Sequence, residues 1–360
     1  MAKALPENKI VVGDCIDMMK AWPEASVDLV FADPPYNIGY AYKLNDAGLA
    51  SADGAMQYDD RLPADEYVAW TEDWVSAAAR LLKPTGSMYV LIGDEYAAEV
   101  RIHLKRLERR GLLAFRNWII WHYTFGQNCR SKFNRSHAHL FYCVGPAVLK
   151  KSGKPRKTRK VSGPAAPLEP YKQVVKVGDE PFAFNRQEVS VKSARQTTYN
   201  DARANPTGKL PDDTWYLRPQ EAVDGAAADG NTYFAEDGDT WTMSRLCGTF
   251  KERVGWHPCQ LPEAMLERVI KLSSNAGDLV FDPFTGSGTT LAVAARLGRR
   301  YLGCELSSEY AGKARERVKH VVATGDTMET TLGDKGIVRG KPKKKAEPKR
   351  SPRQKRATRS

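Results

Sequence analysis

A carboxylate, two prolines and an aromatic ring follow one another at Asp33-Pro34-Pro35-Tyr36. The apolar residues 27–32 before them predict a short buried strand, which the two prolines end abruptly. Open α/β sheets bind their ligands where the carboxyl ends of the strands meet. The four residues therefore indicate a rigid acceptor site at a strand end, and the simpler alternative is a structural turn.

A second group of residues, near the other end of the sequence, has the pattern of a nucleotide site. A predicted strand at 278–281 runs into a turn with two glycines, a helix is predicted at 289–297, and the next strand, 301–304, ends on Glu305. Glycines let the backbone approach a ligand, and a carboxylate 23 residues after Asp282 can accept hydrogen bonds from ribose hydroxyls. The third glycine of the dinucleotide pattern is missing, and two glycines alone often form only a tight turn. Together with the acid that follows, these residues favour an adenosine-type cofactor.

The remaining elements predict the sheet that positions both groups. A strand at 9–12 ends in Gly13-Asp14 and a short helix covers 15–21, so that Asp14 and Asp33 have the spacing of a parallel βαβ unit. Residues 37–63 have no periodicity and predict a long loop, either a mobile lid or disordered. Further helices are predicted at 64–82, 95–110, 263–273 and 308–318, and further strands at 87–92, 117–123 and 138–144.

The predicted sheet is incomplete where the sequence ends. After Glu305 one helix is predicted and no further strand, while a doubly wound sheet needs more strands than the C-terminal unit has. The N-terminal strands can supply them. We therefore predict an α/β fold, a Rossmann-like doubly wound and mostly parallel sheet, in which the turn at 286–288 and the Asp33 motif line one crevice.

Positive charge and aromatic residues indicate a polyanionic partner. Of the net charge of +12, residues 341–360 carry +9, as ten Lys or Arg and one Glu, and the other 340 residues carry +3. We interpret this basic tail as an arm that binds a polyanion, with a merely solvated tail as the alternative. The connector at 124–137 and the basic run at 150–160 have the cations and rings that bind phosphates and unstacked bases. The candidate nucleic-acid-contacting residues there are Arg130, Lys132, Phe133, Arg135, His137, Lys150 and Lys151.

Other properties of the sequence argue against several classes of protein. No apolar run approaches the roughly 18 residues that a membrane span needs, and the first residues do not have the pattern of a secretory signal. The six cysteines are scattered without a C-x-x-C pair, so that we expect neither a metal site nor disulfides. We therefore expect a cytoplasmic protein that needs no metal and no membrane.

Together the motifs resemble those of the S-adenosylmethionine-dependent DNA amino-methyltransferases, specifically the permuted beta class. In that class the Asp-Pro-Pro-Tyr motif precedes the recognition region and Phe-x-Gly-x-Gly follows it, as Asp33–Tyr36 and Phe284-Thr285-Gly286-Ser287-Gly288 do here. The segment from His257 to Pro262 resembles the family's His-Pro-Thr-Gln-Lys-Pro element, with Cys259 in place of Thr and Leu261 in place of Lys. The resemblance covers about 1–145 and 255–320.

The resemblance implies that the Asp-Pro-Pro-Tyr motif receives the base and acts as the catalytic site. Asp33 and the Pro34 carbonyl would accept the two hydrogens of an exocyclic amine and so localise its lone pair towards the methyl group. Pro35 would keep this turn rigid, and Tyr36 would stack on the base. The target amine is inaccessible inside a duplex, so the base must be flipped out.

The resemblance also implies a cofactor site made from both ends of the chain. Glu305 would hold the ribose hydroxyls, Asp14 would lie by the adenine amine, and Asp282 with the turn at 286–289 would hold the methionine end. His257 is expected to be structural or to contact the cofactor, and not to act as a general base. The implied cofactor residues are Asp14, Cys15, Asp33, Asp282, Pro283, Phe284, Gly286, Ser287, Gly288, Thr289, Glu305, Leu306, His257 and Gln260.

The implied activity is sequence-specific methylation of adenine N6 in duplex DNA, with S-adenosylmethionine as the methyl donor. Asp as the first residue of the motif leans towards adenine and Ser towards cytosine, so N4-cytosine methylation is the main alternative. Methylation of RNA or of protein amides fits less well, because of the permuted order and an insert of about 100 residues. An inactive DNA-binding protein would have damage at Asp33 or at the glycine turn, and both are intact.

We predict four regions along the chain. They are a catalytic part with the base site at 1–145, a target-recognition region at 146–250, a catalytic part with the cofactor site at 251–325, and a basic, disordered tail at 326–360. The sequence leaves open which DNA sequence is methylated and whether a cognate restriction endonuclease exists. It also leaves open whether the chain is a monomer or a homodimer.

Overall fold

A computed structural model of the chain describes residues 4–38, 43–44, 50–51, 60–127, 135–149, 181–190, 206–207, 214–215, 254–257 and 259–325. Most of the predicted loop at 37–63, the middle of the connector at 124–137, most of the predicted recognition region and the basic tail lie outside these residues. The described residues include both candidate motifs and the strands that carry them.

The strands of the described residues, numbered along the chain, form one large sheet and one small one. They are β1 (Lys9–Val12), β2 (Val27–Ala32), β3 (Lys43–Leu44), β4 (Ala50–Ser51), β5 (Leu82–Ile92), β6 (Ala114–Gln127), β7 (Arg135–Val144), β8 (Thr214–Trp215), β9 (Leu279–Asp282) and β10 (Arg300–Glu305). β3 pairs with β4, and the other eight form a sheet in the order β1-β10-β9-β2-β5-β7-β6-β8. Neighbours from β1 to β5 are parallel, β7 is antiparallel to β5 and β6, and β8 is parallel to β6.

In the described part of the chain, six helices cover the two faces of this sheet. They are α1 (Cys15–Ala21), α2 (Ala64–Leu81), α3 (Ala97–Arg109), α4 (Glu263–Ser273), α5 (Thr289–Arg296) and α6 (Ser308–Thr324). The side chains of α1, α2 and α3 contribute to one hydrophobic cluster, and those of α4 and α5 to a second. α6 packs with α5 and β1 in a third cluster. Short 3₁₀ turns lie at Asp94–Tyr96, Pro146–Leu149 and Arg186–Val189.

The central strand β2 shows why the sequence folds in this way. Val30 and Ala32 lie in the cluster with α1 and α2, whereas Leu29 and Phe31 lie in the cluster with α4 and α5. A strand that is buried on both faces needs an almost continuous apolar run, which residues 27–32 supply apart from Asp28. Asp28 compensates by pairing with Lys83 at 2.8 Å, where β5 has extra residues opposite β2.

The two ends of the chain interleave in the sheet. β9 and β10 lie between β1 and β2, so that the C-terminal unit separates the two N-terminal strands. From β9 the chain continues outward through β10 towards β1, and from β2 it continues outward on the other side to β5. A crevice at such a change of direction is where doubly wound sheets bind ligands. The predicted assembly and the Rossmann-like, permuted α/β fold are confirmed.

Residues 181–190 and 214–215 of the predicted recognition region pack on the catalytic sheet and its helices. The side-chain nitrogen Nδ2 of Asn185 donates hydrogen bonds to the backbone carbonyls of Lys271, in α4, at 2.9 Å and of Ser274, just after it, at 2.8 Å. β8 extends the sheet beyond β6. The boundaries of the four regions stay predictions. No helix in the described ranges is long and apolar enough to cross a membrane.

Candidate active site

The carboxylates predicted to hold the cofactor leave neighbouring strands at one edge of the sheet. Val12 of β1 pairs with Glu305 of β10, and Gly303 of β10 pairs with Asp282 of β9. Asp14 follows Val12 by two residues and is exposed at the start of α1. Because these strands are parallel, the three carboxyl groups lie at the same edge.

Glu305 is fixed by backbone donors on both of its oxygens. Oε2 accepts from the N–H of Gly286 at 2.8 Å, and Oε1 accepts from the N–H of Ser307 at 2.9 Å. Partial burial raises the pKa of this carboxyl, and the two backbone donors oppose that shift. The next residue, Leu306, leaves 56% of its side chain exposed. A held carboxylate beside an exposed apolar side chain can bind the hydroxyls and one face of a nucleoside.

The turn at 286–288 requires glycine at both of its ends. Gly286 and Gly288 have φ values of +48° and +75°, which disfavour other residues. A Cβ on Gly286 would lie 2.8 Å from Nε2 of His257, and one on Gly288 would lie 3.0 Å from the Cβ of Ala314. The turn is therefore packed from behind by His257 and α6.

The side chains of Ser287 and Thr289 point into the protein and not towards the crevice. Their hydroxyl oxygens lie 2.8 Å apart, and both side chains are buried. Nη1 of Arg317 donates to Oγ1 of Thr289 at 2.8 Å and to the Ser287 carbonyl at 3.2 Å. These two residues can thus offer a cofactor only their backbone.

Asp282 ends β9 in a buried position. Oδ1 accepts from the N–H of Phe284 at 2.9 Å, and the side chain is only 3% exposed. Burial raises the pKa of this carboxyl to about 7. The ring of Phe284 packs edge-on against Trp74 with centroids 5.1 Å apart. Pro283, which lies between Asp282 and Phe284 in the sequence, is also buried.

The Asp-Pro-Pro-Tyr motif meets the glycine turn at the same edge. Val30 of β2 pairs with Phe281 of β9, so Asp33 and Phe284, three residues further along each strand, leave the sheet side by side. The hydroxyl of Tyr36 donates to Oδ1 of Asp33 at 2.8 Å. The structure therefore brings the predicted base site and the predicted cofactor site into one crevice.

Gly93 makes room for the ring of Tyr36. It follows β5, the strand next to β2, and a Cβ built on it would lie 3.3 Å from Cδ2 of Tyr36. A contact at that distance is tighter than most Cβ contacts in proteins, so a larger residue would push the ring. The position of Tyr36 thus depends on a glycine that the sequence did not single out.

Four other predicted cofactor residues have structural contacts in this crevice or near it. Asp14 caps α1, since its Oδ1 accepts from the N–H groups of Ile16 and Asp17 at 2.8 and 3.1 Å. Burial raises the pKa of the Cys15 thiol to about 12. Gln260 is buried and accepts from the N–H of Val254 at 2.7 Å. The fourth residue is His257.

His257 is held in its neutral form. Burial and the charge of Arg317 lower the pKa of its imidazole to about 4. The N–H of Cys259 points at Nδ1 from 3.3 Å, which makes Nδ1 the acceptor and leaves the proton on Nε2, the atom nearest Gly286. His257 therefore packs against the glycine turn, and whether it also contacts the cofactor stays a prediction.

The predicted DNA-contacting residues fall mostly outside the described part of the chain. Arg130, Lys132, Phe133, Lys150 and Lys151 lie there, and the side chain of Arg135 is not described although its backbone belongs to β7. His137 lies on β7, with its ring 4.9 Å from that of His139. His139 pairs with Ile92 at the end of β5, so the hairpin of β6 and β7 points past the base site. Their contacts with DNA stay predictions.

Two groups of residues around the site were missed by the sequence reasoning. Arg317 is 1% exposed and pairs with Glu263 at 2.6 Å beneath the glycine turn. The available signal was a cation at an apolar position of α6, between Ala314 and Val321. Asp60 and Tyr67 contact the backbone of the Asp-Pro-Pro-Tyr motif. The sequence around Asp60 and Tyr67 did not indicate these contacts, because their partners are distant along the chain.

The residues of the crevice fit an adenosine-type cofactor. The held Glu305 carboxylate, the exposed Leu306 and a turn that only glycines can make are the parts that such a cofactor needs. In the described part of the chain, no group of three or more His, Cys, Asp or Glu side chains could hold a metal ion. The sheet order and this crevice are those of a Rossmann-like, doubly wound α/β fold.

Comparisons with known proteins give the family. A family model for N6/N4 methyltransferases, described as DNA methylase, matches residues 27–316. The type II methyltransferase M.HpaI of Haemophilus parainfluenzae is 27% identical over 313 residues, which cover 87% of this chain and 74% of that protein. The DNA adenine methyltransferase YhdJ of Escherichia coli strain K12 is 30% identical over 304 residues, which cover 84% of this chain and 79% of that protein. The crystal structure of the M1.HpyAVI–SAM complex superimposes with a TM-score of 0.46 at 18% identity, over 86% of this chain and 98% of that chain.

The chain therefore belongs to the N6/N4 DNA methylase family, and it is a DNA methyltransferase. The enzymes of this family depend on S-adenosylmethionine, which is the cofactor of this chain.

Proposed function

We propose that this chain transfers the methyl group of S-adenosylmethionine to the N6 amine of an adenine that has been flipped out of duplex DNA. The observation that carries the proposal is the shared edge of β2 and β9, where Asp33 leaves the sheet beside the glycine turn. The cofactor, when bound, supplies an electrophilic methyl group. The protein supplies the position and the polarisation of the amine.

The chemistry of the amine explains the residues of the motif. The lone pair of an exocyclic amine is delocalised into the ring, which makes the nitrogen a poor nucleophile. Asp33 Oδ and the Pro34 carbonyl each accept one amine hydrogen, which localises the lone pair and stabilises the positive charge that develops on nitrogen. The ring of Tyr36 stacks on the flipped base, whose extrusion costs a few kcal/mol.

The cofactor is held by the residues on the other side of the crevice. Glu305 accepts from the ribose hydroxyls with the lone pairs that the two backbone donors leave, and Leu306 covers one face of the adenine. Asp282 and the backbone of the turn at 286–289 bind the methionine end. Asp14 accepts from the adenine amine, since its carboxylate is exposed at the end of β1.

Adenine is favoured over cytosine by two observations. The motif begins with Asp and not Ser, and the E. coli relative that is 30% identical is named a DNA adenine methyltransferase. The partner is duplex DNA in the cytoplasm, at the nucleoid. The proposal needs neither a companion endonuclease nor a particular oligomeric state.

Modified bases in a host that expresses only this protein test the proposal. Genomic DNA is digested to nucleosides, separated and measured by mass spectrometry, with a host carrying the empty vector as control. N6-methyladenine above the control, together with one recurring modified sequence when undigested genomic DNA is sequenced for modified bases, supports the proposal. N4-methylcytosine without N6-methyladenine overturns the choice of base, and methylated RNA or protein without methylated DNA overturns the choice of substrate.

A further inference from the structure

A buried carboxylate holds the segment that follows the Asp-Pro-Pro-Tyr motif. Asp60 is only 7% exposed, and its two oxygens accept from two consecutive backbone N–H groups. Oδ1 accepts from Asn37 at 2.6 Å, and Oδ2 accepts from Ile38 at 3.1 Å. A buried carboxylate is costly unless it is hydrogen-bonded, and backbone donors to a charged acceptor are among the stronger hydrogen bonds.

Asn37 adds three side-chain hydrogen bonds to this contact. Its Oδ1 accepts from the N–H of Leu62 at 2.7 Å, and its Nδ2 donates to the Leu62 carbonyl at 2.9 Å and to the Tyr96 hydroxyl at 3.0 Å. The residue has φ of +55°, a conformation that is uncommon for residues other than glycine. Such a conformation persists where the surroundings determine it, as these contacts do.

Tyr67 holds the motif from the side of α2. Its hydroxyl donates to the Pro35 carbonyl at 2.6 Å, and its side chain is 1% exposed. Its ring lies 4.5 Å from that of Tyr96, centroid to centroid. Tyr96 is also a partner of Asn37, so the two hydrogen-bonded groups form one connected network.

These contacts restrict the direction of the Pro34 carbonyl. The peptide plane after Pro35 is held by Tyr67, and the next two planes are held by Asp60. The plane that contains the Pro34 carbonyl is joined to the first of these through the φ and ψ angles of Pro35, and the proline ring restricts φ to about −65°. Only the ψ angle of Pro35 then remains to change the direction of the carbonyl that is to accept an amine hydrogen.

We propose that Asp60 and Tyr67, acting through Asn37 and Pro35, are positioning residues that aim the Pro34 carbonyl at the target amine. The inference rests on the proposed function of the Asp-Pro-Pro-Tyr motif as the base site. Neither residue touches the base or the cofactor. Their loss therefore lowers the rate of methyl transfer and leaves cofactor binding unchanged.

The test compares Asp60→Asn and Tyr67→Phe with a matched control. Tyr89→Phe is the control, because Tyr89 is equally buried, at 1% exposure, and its hydroxyl lies 2.8 Å from Oγ of Ser273, away from the motif. We expect kcat on DNA to fall by about 10–100-fold in Asp60→Asn and Tyr67→Phe, as a small displacement of a reacting group implies. The dissociation constant for S-adenosylmethionine and the kcat of Tyr89→Phe should stay at the wild-type value.

Hydrogen exchange at two amides gives a readout that does not depend on activity. The N–H groups of Asn37 and Ile38 should be protected in the wild type and lose this protection in Asp60→Asn. A wild type that methylates no DNA refutes the proposed function, and the exchange data then still decide whether Asp60 holds the motif. The inference is overturned if both variants keep the kcat of Tyr89→Phe, or if the two amides exchange equally in the wild type and Asp60→Asn.

Discussion

The Tyr36 hydroxyl donates a hydrogen bond to Oδ1 of Asp33 at a distance of 2.8 Å. The phenol thereby occupies a lone pair of Asp33. In the proposed mechanism the same carboxylate accepts a hydrogen from the amine of the base. A carboxylate oxygen has two acceptor sites, so the amine can share Oδ1 or use Oδ2. The ring of Tyr36, held beside Gly93, is then the part that contributes to base binding, and the hydroxyl is dispensable.

Substitution of Tyr36 separates the ring from the hydroxyl. Tyr36→Phe keeps the stacking surface, so we expect kcat/KM for DNA to remain within about threefold of the wild type. Tyr36→Ala removes it, and the loss of about 1–3 kcal/mol of stacking should lower kcat/KM by about 10–100-fold. Steady-state transfer of a labelled methyl group to DNA measures both. Equal losses in the two variants would show that the hydroxyl is the essential part.

Asp282 makes the stability of the free enzyme depend on pH. The pKa of its carboxyl is raised to about 7 from 3.8, so the folded chain favours the neutral acid. Stability from this group is therefore full below pH 4 and lost as the pH rises through 7. Relative to Asp282→Asn, the wild type should lose up to about 4 kcal/mol between these limits. Urea unfolding from pH 4 to pH 8 measures the difference, which should be smallest at the acidic end.

The same group should have the opposite effect on cofactor binding. An ammonium at the methionine end is attracted by the ionised carboxylate, so the affinity for S-adenosylmethionine should rise by up to about tenfold per pH unit below pH 7. In Asp282→Asn the affinity should be weaker and nearly independent of pH. Calorimetric titration at pH 5.5, 6.5 and 7.5 measures both proteins. Parallel pH profiles for the two would remove Asp282 from the cofactor site.

Arg317 and Arg300 contrast a buried ion pair with an exposed one. Arg317 pairs with Glu263 at 2.6 Å with side chains 1% and 7% exposed, and Arg300 pairs with Glu7 at the same distance with side chains 40% and 39% exposed. Arg317→Met leaves a buried Glu263 with one fewer partner and should cost about 3–5 kcal/mol. Arg300→Met should cost about 0–1 kcal/mol.

Denaturant unfolding of the two variants measures these costs, and a similar loss in both would contradict the role of burial. Cofactor affinity provides a second readout. Because Arg317 also binds the Ser287 carbonyl, its variant should bind S-adenosylmethionine more weakly, whereas the Arg300 variant should not.

The elements near the two motifs could be predicted closely because local signals define their ends. The helix at 263–273 was predicted to the residue, since Pro262 cannot continue a helix backwards and Glu263 suits a first turn. α6 runs six residues beyond its predicted end at Val318, to Thr324. The missed signal was Gly325, which ends the helix with φ of +76°.

Strand lengths could not be read in the same way, because they depend on the neighbouring strands. β6 spans Ala114–Gln127, against a prediction of 117–123, since antiparallel pairing with β7 extends it at both ends. β5 begins at Leu82 and not at Ser87, because Leu82 pairs with Val27 before the extra residues opposite Asp28.

The candidate site likewise has a part that could be predicted from local sequence signals and a part that depends on contacts between distant residues. The motifs and their shared edge follow from residue types, periodicity and the need to complete the sheet. The contacts that refine the site join residues far apart in sequence, 23 residues for Asp60 with Asn37 and 54 for Arg317 with Glu263. No periodicity connects such residues. The inward direction of the Ser287 and Thr289 side chains could likewise not be predicted, since it depends on contacts with Arg317.

The central claim is that Asp33 polarises the amine of a base in DNA. The most direct test measures transfer of a labelled methyl group from S-adenosylmethionine to duplex DNA that carries the methylated sequence, with Asp33→Ala and Asp33→Asn beside the wild type. The loss of an acceptor for developing charge should lower kcat by at least about 100-fold. The melting temperature should change little. An Asp33→Ala protein that forms N6-methyladenine at the wild-type rate would contradict the mechanism.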